Sequence, residues 1–256
     1  MRGSAAIRSA MGLYSLAALA ACAVPPSLPI GVEAPVHPPA FDPASATALL
    51  IAKVTVRGTL PRMRAIRFEG MCRNPNAGPA FEEVVVARDG KLANTIVWVS
   101  RGADRWTYSL PSADVSLSMR DAVFHPHVLT LEVGQLLRVS NPDHGTLHFL
   151  AVSQRNGEIS RKVLKGEACD ARFTAEEVGV RLKCDVHGWM LSWAGVFDHP
   201  FHGVTGADGT VTMRLPPGEY TLAAWHEYEK FEKPAPQSVV LAEGETRVIE
   251  FVYGVK

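Results

Sequence analysis

Much of the chemistry open to a chain of 256 residues is missing from this one. There are only 4 cysteines and no Cys-x-x-Cys pair, so half of a paired-cysteine zinc site is absent and so is a c-type haem attachment. Charge is balanced, with 26 Lys and Arg against 26 Asp and Glu, and the basic footprint of a nucleic-acid binder is lacking. No Gly-x-Ser-x-Gly elbow, phosphate-binding loop or paired-carboxylate signature occurs, which leaves catalysis without named residues; the chain is not expected to be an enzyme. Past the first 22 residues, nothing approaches the roughly 18 apolar residues of a spanning helix. Helical periodicity is scarce as well, and 40–53 is its one weak candidate.

What is present begins with an export signal. Arg2 and Arg8 precede the apolar run 11–21, which is too short for a stable anchor. Residues 19–22, Leu-Ala-Ala-Cys, resemble a bacterial lipobox, implying cleavage before Cys22 and lipid attachment to it. Ala23 follows, as in lipoproteins sorted to the outer membrane. Residues 23–46 hold 7 prolines and no period, and read as a tether between lipid and folded chain. Loss of 1–21 removes two arginines and no acid, leaving a net charge of −2. The expected location is the periplasmic side of the cell envelope, with membrane contact through the lipid on Cys22.

From residue 50 onward the hydrophobic period is two. Candidate strands lie at 53–57, 83–87, 95–99, 114–118, 128–132, 135–139, 147–152 and 179–184, then at 210–215, 219–225, 237–241 and 246–253. Asp89-Gly90 and Asp208-Gly209 mark turns, since glycine accepts positive φ. Many short strands with regular turns argue an all-β sandwich. A boundary is expected near Asp198-His199-Pro200. The division is then signal peptide 1–22, tether 23–49, a first β domain 50–198 and a smaller one 199–256.

One loop carries the chemistry. Cys184, His187 and Met190 fall within seven residues, Cys-Asp-Val-His-Gly-Trp-Met, at the end of a strand. Thiolate and thioether favour Cu(I) and imidazole satisfies Cu(II), so this mixture suits one copper ion that cycles between oxidation states. A further histidine is needed. The stretch 141–148, Asn-Pro-Asp-His-Gly-Thr-Leu-His, offers two. His148 is favoured because it sits inside an apolar strand, and His144 remains a rival in a turn. A cysteine nucleophile paired with His187 would leave Met190 idle. Cys72 and Cys169 either pair in the oxidising compartment or remain two inert thiols.

The loop 184–190 resembles the short ligand loop of amicyanins, within the cupredoxin family. The run 124–134 followed by 137–143 resembles bacterial plastocyanin-like proteins labelled as methylamine-utilisation proteins. In those, a copper-binding cupredoxin precedes a carboxypeptidase regulatory-like, transthyretin-like domain. Residues 198–201, 216–220 and 224–227 fit that second part. The resemblance covers roughly 54–252. It implies a Greek-key cupredoxin sandwich followed by a small transthyretin-like sandwich, with one type 1 copper ion and single-electron transfer. His148, Cys184, His187 and Met190 take the ligand roles. The family usually places its first histidine six residues after the Asn, whereas His148 is seven after Asn141. Family members also often carry a cysteine where Ala122 stands here.

The other histidines read as structural: His125 and His127 as turn or rim residues, His199 and His202 at the junction, and His226 packed beside Trp225. Trp193 reads as core. Trp189, beside His187, is expected to be partly exposed, and the cupredoxin resemblance implies that an unidentified redox partner docks on an apolar face there, with the imidazole edge as electron port. The competing reading is an envelope binding or structural module whose metal site is vestigial or stores copper.

Overall fold

The protein, described by a computed structural model, is placed over residues 37–68, 79–142 and 145–255. The signal segment, Cys22, most of the tether, Cys72 and His144 lie outside the described residues. Instead of a helix over 40–53 there is a single 3-10 turn, Pro43–Ser45, whose N-cap Asp42 accepts from the Ala44 N–H. It is followed by β1 (Ala48–Arg57), β2 (Ala87–Arg88), β3 (Lys91–Leu92) and β4 (Ile96–Arg101). Next come β5 (Val115–Arg120), β6 (Val123–His125), β7 (Val128–Glu132), β8 (Leu137–Asn141) and β9 (Thr146–Val152). The middle of the chain closes with β10 (Ile159–Leu164), β11 (Glu167–Ala171), β12 (Glu177–Lys183) and β13 (Leu191–Phe197). The last strands are β14 (His202–Val204), β15 (Thr210–Leu215), β16 (Gly218–Trp225), β17 (Phe231–Glu232), β18 (Gln237–Leu241) and β19 (Thr246–Val255).

These strands make four sheets. The first sandwich sets β10-β9-β12-β13-β7 against β11-β8-β5-β6. Leu117, Phe124, Leu147, Phe149, Phe173, Val180, Leu182 and Val196 fill the space between them. Each large apolar side chain so buried contributes roughly 1.5–3 kcal/mol. The second sandwich sets β14-β4-β16-β18 against a sheet ordered β17-β19-β1-β3-β2, with β15 also paired to β1. Its core includes Leu50, Val54, Val97, Val99, Leu222, Phe251 and Tyr253. Tyr220 pins the start of β16 by donating its hydroxyl to the Pro216 carbonyl at 2.8 Å.

The expected division at residue 198 is revised. Strand β1 runs parallel to β19, from Leu49 against Thr246 to Arg57 against Gly254, and antiparallel to β15. Strand β4 lies between β14 and β16. Strands β1 to β4 therefore belong with the C-terminal strands, and the first sandwich, 115–197, is inserted between β4 and β14. Alternating apolar residues specify which face of a strand is buried but not which strand lies beside it. The expected strand 83–87 also differs: only Ala87 pairs, because Val84 and Val85 lie in a bend.

A third apolar contact joins the two sandwiches. Ile96, Val128 and Phe197 are buried there, with Trp98, Val178, Trp193, Val204 and Trp225 around them. Gly195 permits the approach, since a Cβ on it would lie 2.8 Å from the Phe197 ring and 3.1 Å from Ile96. At the β12 bulge Gly179 has φ +84°, and its bare Cα faces the Trp225 ring.

Candidate metal centre

Strand β12 delivers the thiol. Val180, Leu182 and Cys184 alternate inward, and Cys184 is buried at 3% exposure between the sheets of the first sandwich. The chain then folds back tightly: the Cys184 N–H donates to the Met190 carbonyl at 3.2 Å and the Met190 N–H to the His187 carbonyl at 2.9 Å. This turn brings the Cys184 Sγ to 3.8 Å from the His187 Nδ1. Met190, 1% exposed, belongs to the same apolar core. Three of the four side chains expected from the sequence are thus buried side chains of one closed turn.

His148 does not join them. In β9 the inward residues are Leu147, Phe149 and Ala151, so His148 stands on the opposite face of the sheet from Cys184. Its Nδ1 lies 3.3 Å from an Asp185 carboxylate oxygen, and its side chain is 35% exposed. An apolar strand was the reason for favouring it, yet within such a strand the period of two turns every second side chain outward. Nearby, Asn141 is fully buried and its amide donates to the Val163 carbonyl at 3.0 Å, tying the end of β8 to β10.

Around the turn, Trp189 is partly exposed as expected, whereas His187 is not. His187 is buried at 8% exposure, with its ring 4.9 Å from that of Trp189. Trp189 is half-buried: its indole N–H donates to the Ala122 carbonyl at 3.0 Å, and Phe68 packs edge-on against it at 5.5 Å. Phe68 comes from the segment after β1, so a piece of the second sandwich's chain lies over the turn. The carbonyl that receives Trp189 belongs to a left-handed pair, Asp121 and Ala122, at φ +53° and +55°. A cavity of about 160 Å³ lies beside it, lined in part by Ile66, Val84, His127, Gly188 and Trp189.

Of the histidines read as structural, His127 is buried and bonded through Nε2 to Glu227, whose other oxygen accepts from the Trp193 indole at 2.7 Å. Sequence reading missed this link between the sandwiches, for its partners are 100 residues apart and neither lies in a motif. His199 donates from Nε2 to the Val99 carbonyl and accepts at Nδ1 from the Phe201 N–H. His202 stacks on Phe197 with ring centroids 4.7 Å apart. His226 accepts at Nδ1 from the Tyr228 N–H. Cys169 is a free, half-buried thiol whose pKa burial pushes up.

Among the described residues, one set of acidic, histidine or cysteine ligand atoms lies mutually within 4.8 Å: Glu176, Asp198 and His199. Both ring nitrogens of His199 are already used by backbone groups, so it has no lone pair to offer there. The donor set that fits a copper ion is instead the buried sulfur, imidazole and thioether of Cys184, His187 and Met190, because soft donors in an apolar shell discriminate against the hard cations that carboxylates attract.

No protein-family model matches the chain, and no curated protein matches it. Solved structures that resemble part of it include a copper-containing nitrite reductase from Thermus scotoductus SA-01, at 23% identity and TM-score 0.32, over 41% of this chain and 26% of the reductase. The chain therefore spans about a quarter of that protein's length. A purple cupredoxin from Nitrosopumilus maritimus is similar at 18% identity and TM-score 0.28, over 32% of this chain and 99% of that one. A reduced, Cu(I) form of an amicyanin mutant is similar at 18% identity and TM-score 0.30, over 34% of this chain and 86% of that one. Scores of this size establish no shared fold, and the all-β sandwich assignment rests on the strand pairing itself.

Proposed function

We propose that the protein is an envelope-anchored, mononuclear copper protein that passes single electrons. The observation that carries the reading is the closed turn with Cys184 Sγ 3.8 Å from His187 Nδ1 and Met190 buried in the same core. Cys184, His187 and Met190 would hold the ion, which supplies reversible one-electron chemistry when bound. For the fourth donor the sequence offers His148 and His144, and the outward turn of His148 favours His144. Around the turn, the chain's own residues keep the donors in place and dry. The Cys184 and Met190 N–H bonds hold the sulfur and thioether at the two ends of one loop. Trp189 and Phe68 cover the imidazole from solvent. A rigid, water-free donor set changes little between oxidation states, the condition for fast electron exchange. The second sandwich, read as transthyretin-like, serves as the mount. Lipid on Cys22 and the proline-rich tether hold the assembly at the membrane.

The test is the visible and EPR spectrum of the Cu(II)-loaded protein beside Cys184→Ser. An intense thiolate-to-copper band with narrow hyperfine splitting, lost in the variant, is expected. A colourless protein, or an ordinary tetragonal copper signal unaffected by the substitution, would overturn the reading in favour of a β-sandwich binding module.

A further inference from the structure

The sheet that carries the turn is only half covered. Its β13 and β7 side packs on the second sandwich, whereas the outer-face residues of β10, β9 and the end of β12 are exposed or half-buried among the described residues. The pairing places Lys162 beside His148, Ser160 and Lys183 on either side of Leu150, and Arg181 beside Val152. Directly paired residues share a face, so Lys162, Lys183 and Arg181 all stand on this one, Lys162 on the far side of β9 from the other two. Asp185 sits among them, 3.3 Å from His148. Glu177, at the far end of β12, is taken up by Ser153 and Asn156. Asp185 offsets one of the three cations, and the remainder is a local positive excess on a chain that is neutral as a whole. Apolar side chains are interspersed: Leu164 is 41% exposed and Val186 60%. Lys183, Asp185 and Val186 adjoin Cys184 in the chain, so the face is covalently next to the buried thiol.

We propose that this charged sheet face, and not the half-buried Trp189 side, is where an acidic protein that exchanges electrons with the centre docks. The inference rests on the copper reading above and names its partner chemistry. Opposite charge steers a weak encounter, and scattered apolar side chains suffice for a small redox interface.

The experiment compares the full chain, Lys162→Glu/Arg181→Glu, and a control, Arg88→Glu, whose side chain is 89% exposed on β2 of the other sandwich. Copper-loaded protein is mixed with hexacyanoferrate(II), which gives up one electron and becomes hexacyanoferrate(III) as the oxidised site takes that electron. The cationic reductant hexaammineruthenium(II) is run in parallel. At low salt the double variant is expected to react about tenfold more slowly with the anion and faster with the cation, the effect fading as salt rises. The control should leave both rates in place, with the thiolate band intact throughout. Independently of the metal, hexacyanochromate(III) added to the metal-free protein should broaden amide signals around Lys162, His148 and Lys183. Rates indifferent to the double variant, an equal effect of the control, or broadening centred elsewhere would overturn the proposal. Binding to phosphatidylglycerol vesicles that depends on Lys162 and Arg181 would also overturn it, reassigning the face to a lipid surface. Absence of the thiolate band from the unaltered chain would instead end the copper reading itself.

Discussion

At the scale of single residues, the proposed copper site makes opposite demands of two histidines. His148 lies on the outer face of β9 beside Asp185, so His148→Ala should retain the thiolate-to-copper band, whereas His144→Ala should lose or strongly shift it. Absorption spectra of the two Cu(II)-loaded variants check this, and the opposite pattern would mean that β9 turns over when metal binds. His202 illustrates a different role. Both of its ring nitrogens are buried without a hydrogen-bond partner. Burial first, and the charge of His199 second, push its pKa from 6.5 down to about 3. A depressed histidine takes up its proton in the unfolded chain first, so its contribution to stability is complete above 6.5 and declines as pH falls toward about 3. His202→Phe should flatten that decline, visible as a smaller loss in urea midpoint between about pH 7 and about pH 4.5. An unchanged slope would show that another group carries the acid sensitivity.

Elements were legible in proportion to the regularity of their pattern. Strands such as 128–132, 210–215 and 237–241 matched β7, β15 and β18, because a half-buried strand must alternate. The loop 184–190 was equally plain, since its donors are neighbours in the chain and the closure is local. The stretch 83–87 misled, because a run of valines marks β propensity without supplying a strand for it to pair with. The contact between sandwiches left no pattern to read beyond a glycine. Gly195→Ala would push a methyl against Phe197 and Ile96, and overpacking of this kind costs about 1–3 kcal/mol. Chemical denaturation should register that loss with little change in the thiolate band, whereas a neutral result would mean that the two sheets separate freely.

For the whole molecule, the inserted arrangement matters most. A chain ending at residue 198 keeps β1 and β4 but lacks β15, β16 and β19, leaving Leu50, Val54, Val97 and Val99 without their core. It should aggregate, while the fragment 113–198, which holds nearly all of the first core, should unfold cooperatively and take up copper with the thiolate band. Thermal melts and absorption of the two fragments test this, and a well-folded 1–198 would restore a simple tandem order. Insertion also accounts for the cover over the turn: the segment leaving β1 carries Phe68 onto Trp189, so the second sandwich contributes to the site's shelter.

The sequence by itself determined the all-β class, most strand positions and the Cys184, His187 and Met190 turn, because alternation and a seven-residue closure are local properties of the chain. Tertiary structure alone decided the rest. It set the partners of β1 and β4, the outward turn of His148, the cover on Trp189 and the link from His127 to Glu227. Each of these depends on contacts between residues distant in sequence, and a strand's own pattern carries no information about which neighbour satisfies its edges or which side of the sheet meets another layer.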